Sequence, residues 1–151
     1  MAINVTAEVQ IARTGEDVAA YVVNPENDAV WIGGIKSARM LTDPPVGVGT
    51  RVARVASFMG KRIEYTPEVV AYEANSLLTM KTDKSFDMLI RYEFEDSEDG
   101  TIDRIRIQGG GSGFFKLASP LLGPAVKRNI KGDLRNLKFI LENGSPGAER
   151  D

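Results

Sequence analysis

Arg54, Tyr65 and Tyr92 are the side chains of this sequence best placed to do chemistry, because the usual chemical groups are missing. Among 151 residues there is no histidine and no cysteine. That removes Ser-His-Asp triads, Cys-His dyads and the commonest zinc sites, together with thiol nucleophiles and disulfides. A carboxylate-only metal site is the one formal option left, and we expect neither a metal nor a cofactor. A tyrosine can act as a general acid, although an unperturbed phenol with a pKa near 10 is a poor one at neutral pH. Arg54 is the odd residue. With strand periodicity it shares a face with Val52, Ala56 and Phe58, while Arg51 and Ser57 take the opposite face. A guanidinium on a dry face must be paired or must meet a ligand carboxylate or carbonyl. The alternative is a bulge or an edge position that leaves it in water. Glu64 and Glu68 share one face of the next strand, where the spacing favours solvent over a paired-carboxylate acid/base site.

The elements that hold these residues read clearly. Ile3, Val5, Ala7, Val9 and Ile11 alternate with polar residues, the pattern of a half-buried strand. Thr14 stands three residues before Asp17 and opens a short helix that Asn24-Pro25 breaks; a second helical turn runs from Pro25 to Trp31 and stops at Gly33-Gly34. Strands are then expected over residues 35–41, 50–59, 62–72, 77–82, a run around 86–94, and 101–108. Pro67 lies inside the fourth of the chain's seven expected strands and marks a bulge or an edge position. Asp99-Gly100 makes a tight hairpin turn. Cross-strand pairs of Arg106 with Glu93 or Asp87 are expected on the wet face.

The last stretch organises the chain. Leu122, Val126, Ile130, Leu134, Leu137 and Leu141 recur at helical spacing, with Lys127, Arg128, Lys131 and Arg135 on the other face. Pro124 places the start of the regular helix near itself, with residues 114–121 as a kinked or separate turn. The run Gly109 to Gly113 lacks the Gly-Lys-Ser/Thr ending of a phosphate loop. It reads as a joint between the last strand and the helix, either flexible or a plain connection.

Length gives one domain, residues 1–144, followed by a polar tail, 145–151. Net charge is −2 with a pI near 5.3, and the basic residues are dispersed, so nucleic acid is not an expected partner. No apolar run is long enough for a membrane span, the N-terminal stretch lacks signal-peptide features, and a cytoplasmic location follows by default.

The resulting fold class is α+β: a seven-stranded curved antiparallel sheet wrapped around a long C-terminal helix, with two short helices after strand one. This resembles the START-like, Bet v 1-like helix-grip superfamily of polyketide cyclases/dehydrases and lipid-transport proteins. The resemblance rests on Asn24-Pro25-Glu26 to Trp31, on Pro45-Val46-Gly47-Val48-Gly49-Thr50, on the Gly60 hairpin and on Pro120-Leu121-Leu122 to Glu142. It implies a cavity for a hydrophobic small molecule and no universal catalytic motif.

A bent sheet and one helix cannot meet tightly everywhere, so a hollow is expected between them. Trp31, Arg54, Phe58, Tyr65, Met80, Met88, Ile90 and Tyr92 are expected to line it, with Phe114, Leu117 and Leu121 capping one end; otherwise these apolar residues are core. The favoured expectation is a carrier or sensor of a lipid, polyketide or aromatic, as a monomer or homodimer. The alternatives are an aromatase/cyclase/dehydratase using Arg54, Tyr65 or Tyr92, and a co-chaperone-like interaction module.

Overall fold

A computed structural model describes residues 3–58, 60–82, 87–109 and 122–144. The expected alternation of the first strand is observed: β1 (Ile3–Ile11) buries Ile3 and Ile11 and exposes Asn4, Thr6, Glu8 and Gln10. The Thr14 hydroxyl accepts from the Asp17 amide at 3.2 Å and starts α1 (Gly15–Val23). Asn24 ends that helix, and its side chain caps the 3-10 turn Pro25–Asn27 that leads into α2 (Asp28–Trp31).

The described residues form eight strands in sequence order, one more than expected. After β1 come β2 (Ile35–Met40), β3 (Val52–Phe58), β4 (Lys61–Tyr65), β5 (Glu68–Glu73), β6 (Leu77–Lys81), β7 (Met88–Ser97) and β8 (Gly100–Gly109). The additional strand arises at Pro67. The expected strand over residues 62–72 does not bulge there; it breaks into β4 and β5. Proline has no amide hydrogen to give a ladder, so the chain changes partner where the ladder would fail. Pro67 thus joins two edge strands, as the edge expectation had it, but it is fully buried, and its carbonyl still accepts from Val52 N at 3.1 Å.

That break divides the strands into two hydrogen-bonded sheets, β1-β8-β7-β6-β5 and β2-β3-β4. Gly49 N to Val69 O at 2.9 Å and Val69 N to Thr50 O at 2.8 Å stitch them where β3 begins beside β5. All strand pairs are antiparallel, and β1 reaches across the chain to pair with β8 from Ile3 opposite Gly109 to Ile11 opposite Thr101. Gly100 (φ 137°) closes the β7–β8 turn, where a Cβ would run into the Ile11 carbonyl. The register also corrects the expected ion pairs. Arg106 stands opposite Thr6 and Arg91 and donates to Asn4 Oδ1 at 3.1 Å. Arg104 is the residue that meets Glu8 at 2.9 Å, Glu95 at 3.4 Å and Glu93 at 3.6 Å. Glu64 and Glu68 fall on different strands, and both are exposed.

α3 (Leu122–Asn143) carries Pro124 in the first turn of its described length, where a missing amide is tolerated. Its expected stripe, Leu122 to Leu141, is buried throughout in one core with Ile3, Ile11, Ile90, Tyr92 and Ile105 of the sheet. The Arg13 guanidinium caps the Leu141 carbonyl at 2.6 Å, and Glu142 accepts from Ala12 N at 2.8 Å. Farther back, Asn136 donates to Trp31 O at 3.2 Å and Asp133 Oδ1 accepts from Gly33 N at 3.0 Å. The helix is thus tied to β1 at one end and to the α2–β2 connection in its middle. No helix of the described residues is long and apolar enough to cross a membrane.

Candidate functional site

α3 packs against β1 of the first sheet and against α2. Residues of both sheets, of α3 and of the α2 region border a cavity of about 160 Å³. β3 contributes Arg54, Ala56, Ser57 and Phe58; β4 contributes Ile63 and Tyr65; β7 and β8 contribute Met88, Ile90, Tyr92, Ile105 and Ile107; α3 closes it with Val126, Asn129, Ile130 and Asp133; and Trp31, Ile32, Gly34 and Ile35 wall the side at α2. Most of this surface is apolar. Exposed Asn129 and half-buried Ser57 and Asp133 mark the rim, while Trp31, Arg54, Ile90 and Tyr92 are buried at the inner end.

The inner end holds the site's only close charge pair among the described residues. Arg54 donates to Asp28 Oδ2 from Nε at 3.1 Å and from its terminal nitrogen at 2.9 Å, and both side chains are 4 % exposed. β3 keeps its period of two through Arg54, so the guanidinium does face the dry side. The reason it can stay there is α2, which places the Asp28 carboxylate at the helix start directly over it. Taking either ion alone out of water would cost several kcal/mol, and the pair offsets most of that. Burial lowers the Arg54 guanidinium pKa, but Asp28, Tyr92 and Tyr65 more than reverse this and hold it well above its ordinary value. Burial raises the Asp28 carboxyl, and Arg54 pulls it only part of the way back.

Tyr92 lies beside the same guanidinium and packs against Trp31 with ring centroids 6.1 Å apart and the rings tilted at 60°. Its burial pushes the phenol up to about 12, with Arg54 opposing. Tyr92 is therefore a weaker acid than a free phenol and serves as a neutral hydrogen-bonding group. Trp31 is 1 % exposed, and its Nε1 has no hydrogen-bond partner among the described residues. At the rim, burial raises the Asp133 carboxyl to about 6 despite the amide of Gly33.

Of the residues expected here, Trp31, Arg54, Phe58, Tyr65, Met88, Ile90 and Tyr92 all border the cavity. Met80 does not. It lines a separate crevice of about 10 Å³ together with Asp28, Arg54, Val69 and Tyr92. Phe114, Leu117 and Leu121 lie outside the described residues. Sequence reasoning missed Ile105 and Ile107 as wall residues, although their inward parity in β8 is plain, and Val126 and Ile130, already on the helix stripe. Asp28 had no such signal. Its pairing with Arg54 spans 26 positions and follows no local period.

The architecture has relatives among solved structures. A protein of Thermus thermophilus superposes with a TM-score of 0.74 at 19 % identity, covering 94 % of this chain and 99 % of that one. The protein Ara h 8.0201 gives 0.63 at 15 % identity, with 91 % and 97 % covered. The di-domain ARO/CYC StfQ of the steffimycin biosynthetic pathway gives 0.71 at 14 % identity, with 93 % of this chain and 51 % of that one covered. These likenesses establish the fold. No curated protein matches the sequence significantly. Sequence and fold agree, however, over nearly the whole length: the family model described as polyketide cyclase / dehydrase and lipid transport matches residues 2–142, and the chain belongs to that family.

Proposed function

We propose that this protein binds a hydrophobic small molecule, as a carrier or sensor, in the cavity between the two sheets and α3. The observation that carries this reading is the cavity itself: about 160 Å³ of mostly apolar space beside a charge pair that is already balanced. Burying apolar ligand surface there contributes about 25 cal/mol per Å². Tyr65 and Tyr92 supply the few polar groups that orient a ligand in such a pocket. The family's printed description covers both lipid transport and cyclisation, so an enzyme of the cyclase/dehydratase type is the second reading. Arg54 and Tyr92 at the cavity's inner end favour it, and the elevated Tyr92 phenol weighs against proton donation from that residue.

Toluene is a suitable first probe. Trp31 is the only tryptophan, so its indole N–H gives one unambiguous proton–nitrogen NMR signal. Toluene should shift that signal saturably, and Ile90→Trp, which fills the space, should abolish the shift of the Trp31 signal. Absence of any saturable response in the folded protein overturns the binding reading. Turnover of a polyketide mimic that is lost in Tyr92→Phe would favour the enzyme instead.

A further inference from the structure

The charges lining the cavity do not cancel, and the one left over sits at its mouth. Two charged side chains border the space, Arg54 and Asp133. Arg54 is balanced by Asp28 at 2.9 Å, so the inner end has no net charge. Asp133, half-buried at the rim, has no such partner. Its Oδ1 accepts from Gly33 N at 3.0 Å, and its Oδ2 makes no hydrogen bond among the described residues. That second oxygen is not sealed inside the protein: the side-chain atoms both buried and unpartnered among the described residues are Trp31 Nε1 and the two oxygens of Asp103. No cation answers it from the surrounding elements. Asn129, Ile130, Asn136 and Leu137, one turn away on α3, are uncharged, while Lys131 and Arg135, two positions off, fall on other sides of the helix. The α2–β2 connection brings Ile32, Gly33 and Gly34, and β3 brings Ser57, none of them ionisable. Burial and the Gly33 amide are what act on the carboxyl, which is raised to about 6 and so is ionised at neutral pH.

A half-solvated carboxylate at the mouth of an apolar cavity favours a cation whose remainder is apolar, and it repels an anion. Size limits the apolar part: a cavity of about 150 Å³ takes up benzene in another protein, so about 160 Å³ accommodates one ring with a short substituent. We infer that the ligand is a cationic amphiphile, with a ring-sized apolar body in the cavity and a protonated amine on a short arm at the mouth, paired with Asp133 Oδ2. This rests on the binding reading above and adds to it the charge of the ligand and the residue that recognises that charge.

Three probes of nearly one shape isolate the charge: 2-phenylethylamine is a cation, 2-phenylethanol is neutral and phenylacetate is an anion. Titration calorimetry on the intact protein at pH 7.5 should rank the amine about tenfold tighter than the alcohol, the worth of one charge-assisted contact at a partly solvated site. Phenylacetate should bind weakest. Asp133 loses its charge below about pH 6, so the amine's advantage should shrink to about twofold at pH 5 while the alcohol binds alike at both. The other titratable groups at the cavity are the phenols of Tyr65 and Tyr92 and the Arg54–Asp28 pair. Asp133→Asn keeps an acceptor for Gly33 N and removes the charge. It should equalise amine and alcohol and abolish the pH dependence; an amine advantage that survives in this variant belongs to another group and overturns the assignment. If the alcohol binds wild type as tightly as the amine, or phenylacetate binds tightest, the inference is overturned while the cavity stands as a binding site. If none of the three binds but toluene does, the inference alone fails; if toluene fails too, both readings fail. The wild-type ranking decides the matter even if the variant does not fold.

Discussion

Among the described residues two carboxyl groups are buried in the core, and they escape the cost of burial in opposite ways. Asp28, 3 % exposed, lies at the inner end of the cavity with Arg54 at 2.9 Å. Asp103, 0 % exposed, sits on the inward face of β8 between Thr101 and Ile105, opposite Val9 and Phe94, and neither of its oxygens has a partner among the described residues. An isolated buried anion is too costly to persist, so a carboxyl must be paired or stay protonated. Asp28 takes the first course. Asp103 takes the second: burial alone raises its pKa well above the ordinary range. The difference shows where this protein tolerates charge. An ion pair occurs at the cavity, where α2 supplies a counter-ion, and the buried face of β8 favours the neutral form of its acid.

Mutation should expose that contrast most strongly at the pair. Asp28→Asn strands the Arg54 charge and should destabilise the fold by about 3–5 kcal/mol in urea denaturation. Replacing both residues, Asp28→Leu with Arg54→Met, should recover most of that loss. A single variant that costs under about 1 kcal/mol would mean the two buried acids are not different in kind.

Asp103→Asn should behave oppositely. The native carboxyl stays protonated while the unfolded chain ionises near pH 4, so its contribution is complete below that pH and is lost as pH rises toward the elevated native value. The wild type thus loses about 1.4 kcal/mol per pH unit over that interval relative to the asparagine variant. Denaturation at pH 4 and pH 8 should show equal stabilities at the first and a more stable variant at the second. Equal stabilities at both would place a counter-ion beside Asp103.

The smallest effect is expected at the rim. Asp133 is raised only to about 6 and is partly solvated. Its contribution should fade between about pH 4 and pH 6 and then level off. Asp133→Asn, followed by the same pH series, checks this; a difference still growing above pH 7 would contradict it.

The sequence showed periodic features well and pairwise ones poorly. The β1 alternation and the α3 stripe recur every two or every three to four residues, so each buried position supports the next. Arg54 was legible as a charge on a dry face because its neighbours on β3 fix its direction. Its counter-ion was not, since nothing in Pro25-Glu26-Asn27-Asp28 distinguishes Asp28 from a helix-capping residue. Pro67 was legible as an interruption, but whether a strand bulges or divides there depends on the amide and carbonyl partners offered by Gly49, Thr50 and Val52. That choice separated β4 from β5 and so the two sheets.

The central claim is an empty apolar space bounded by β3, β7 and α3. A crystal of the protein held under xenon pressure tests it directly. Xenon density is expected between Trp31, Ile90 and Ile130, and its loss is expected in Ile90→Trp. An interior filled there by side chains, with xenon found only elsewhere or not at all, would contradict the account.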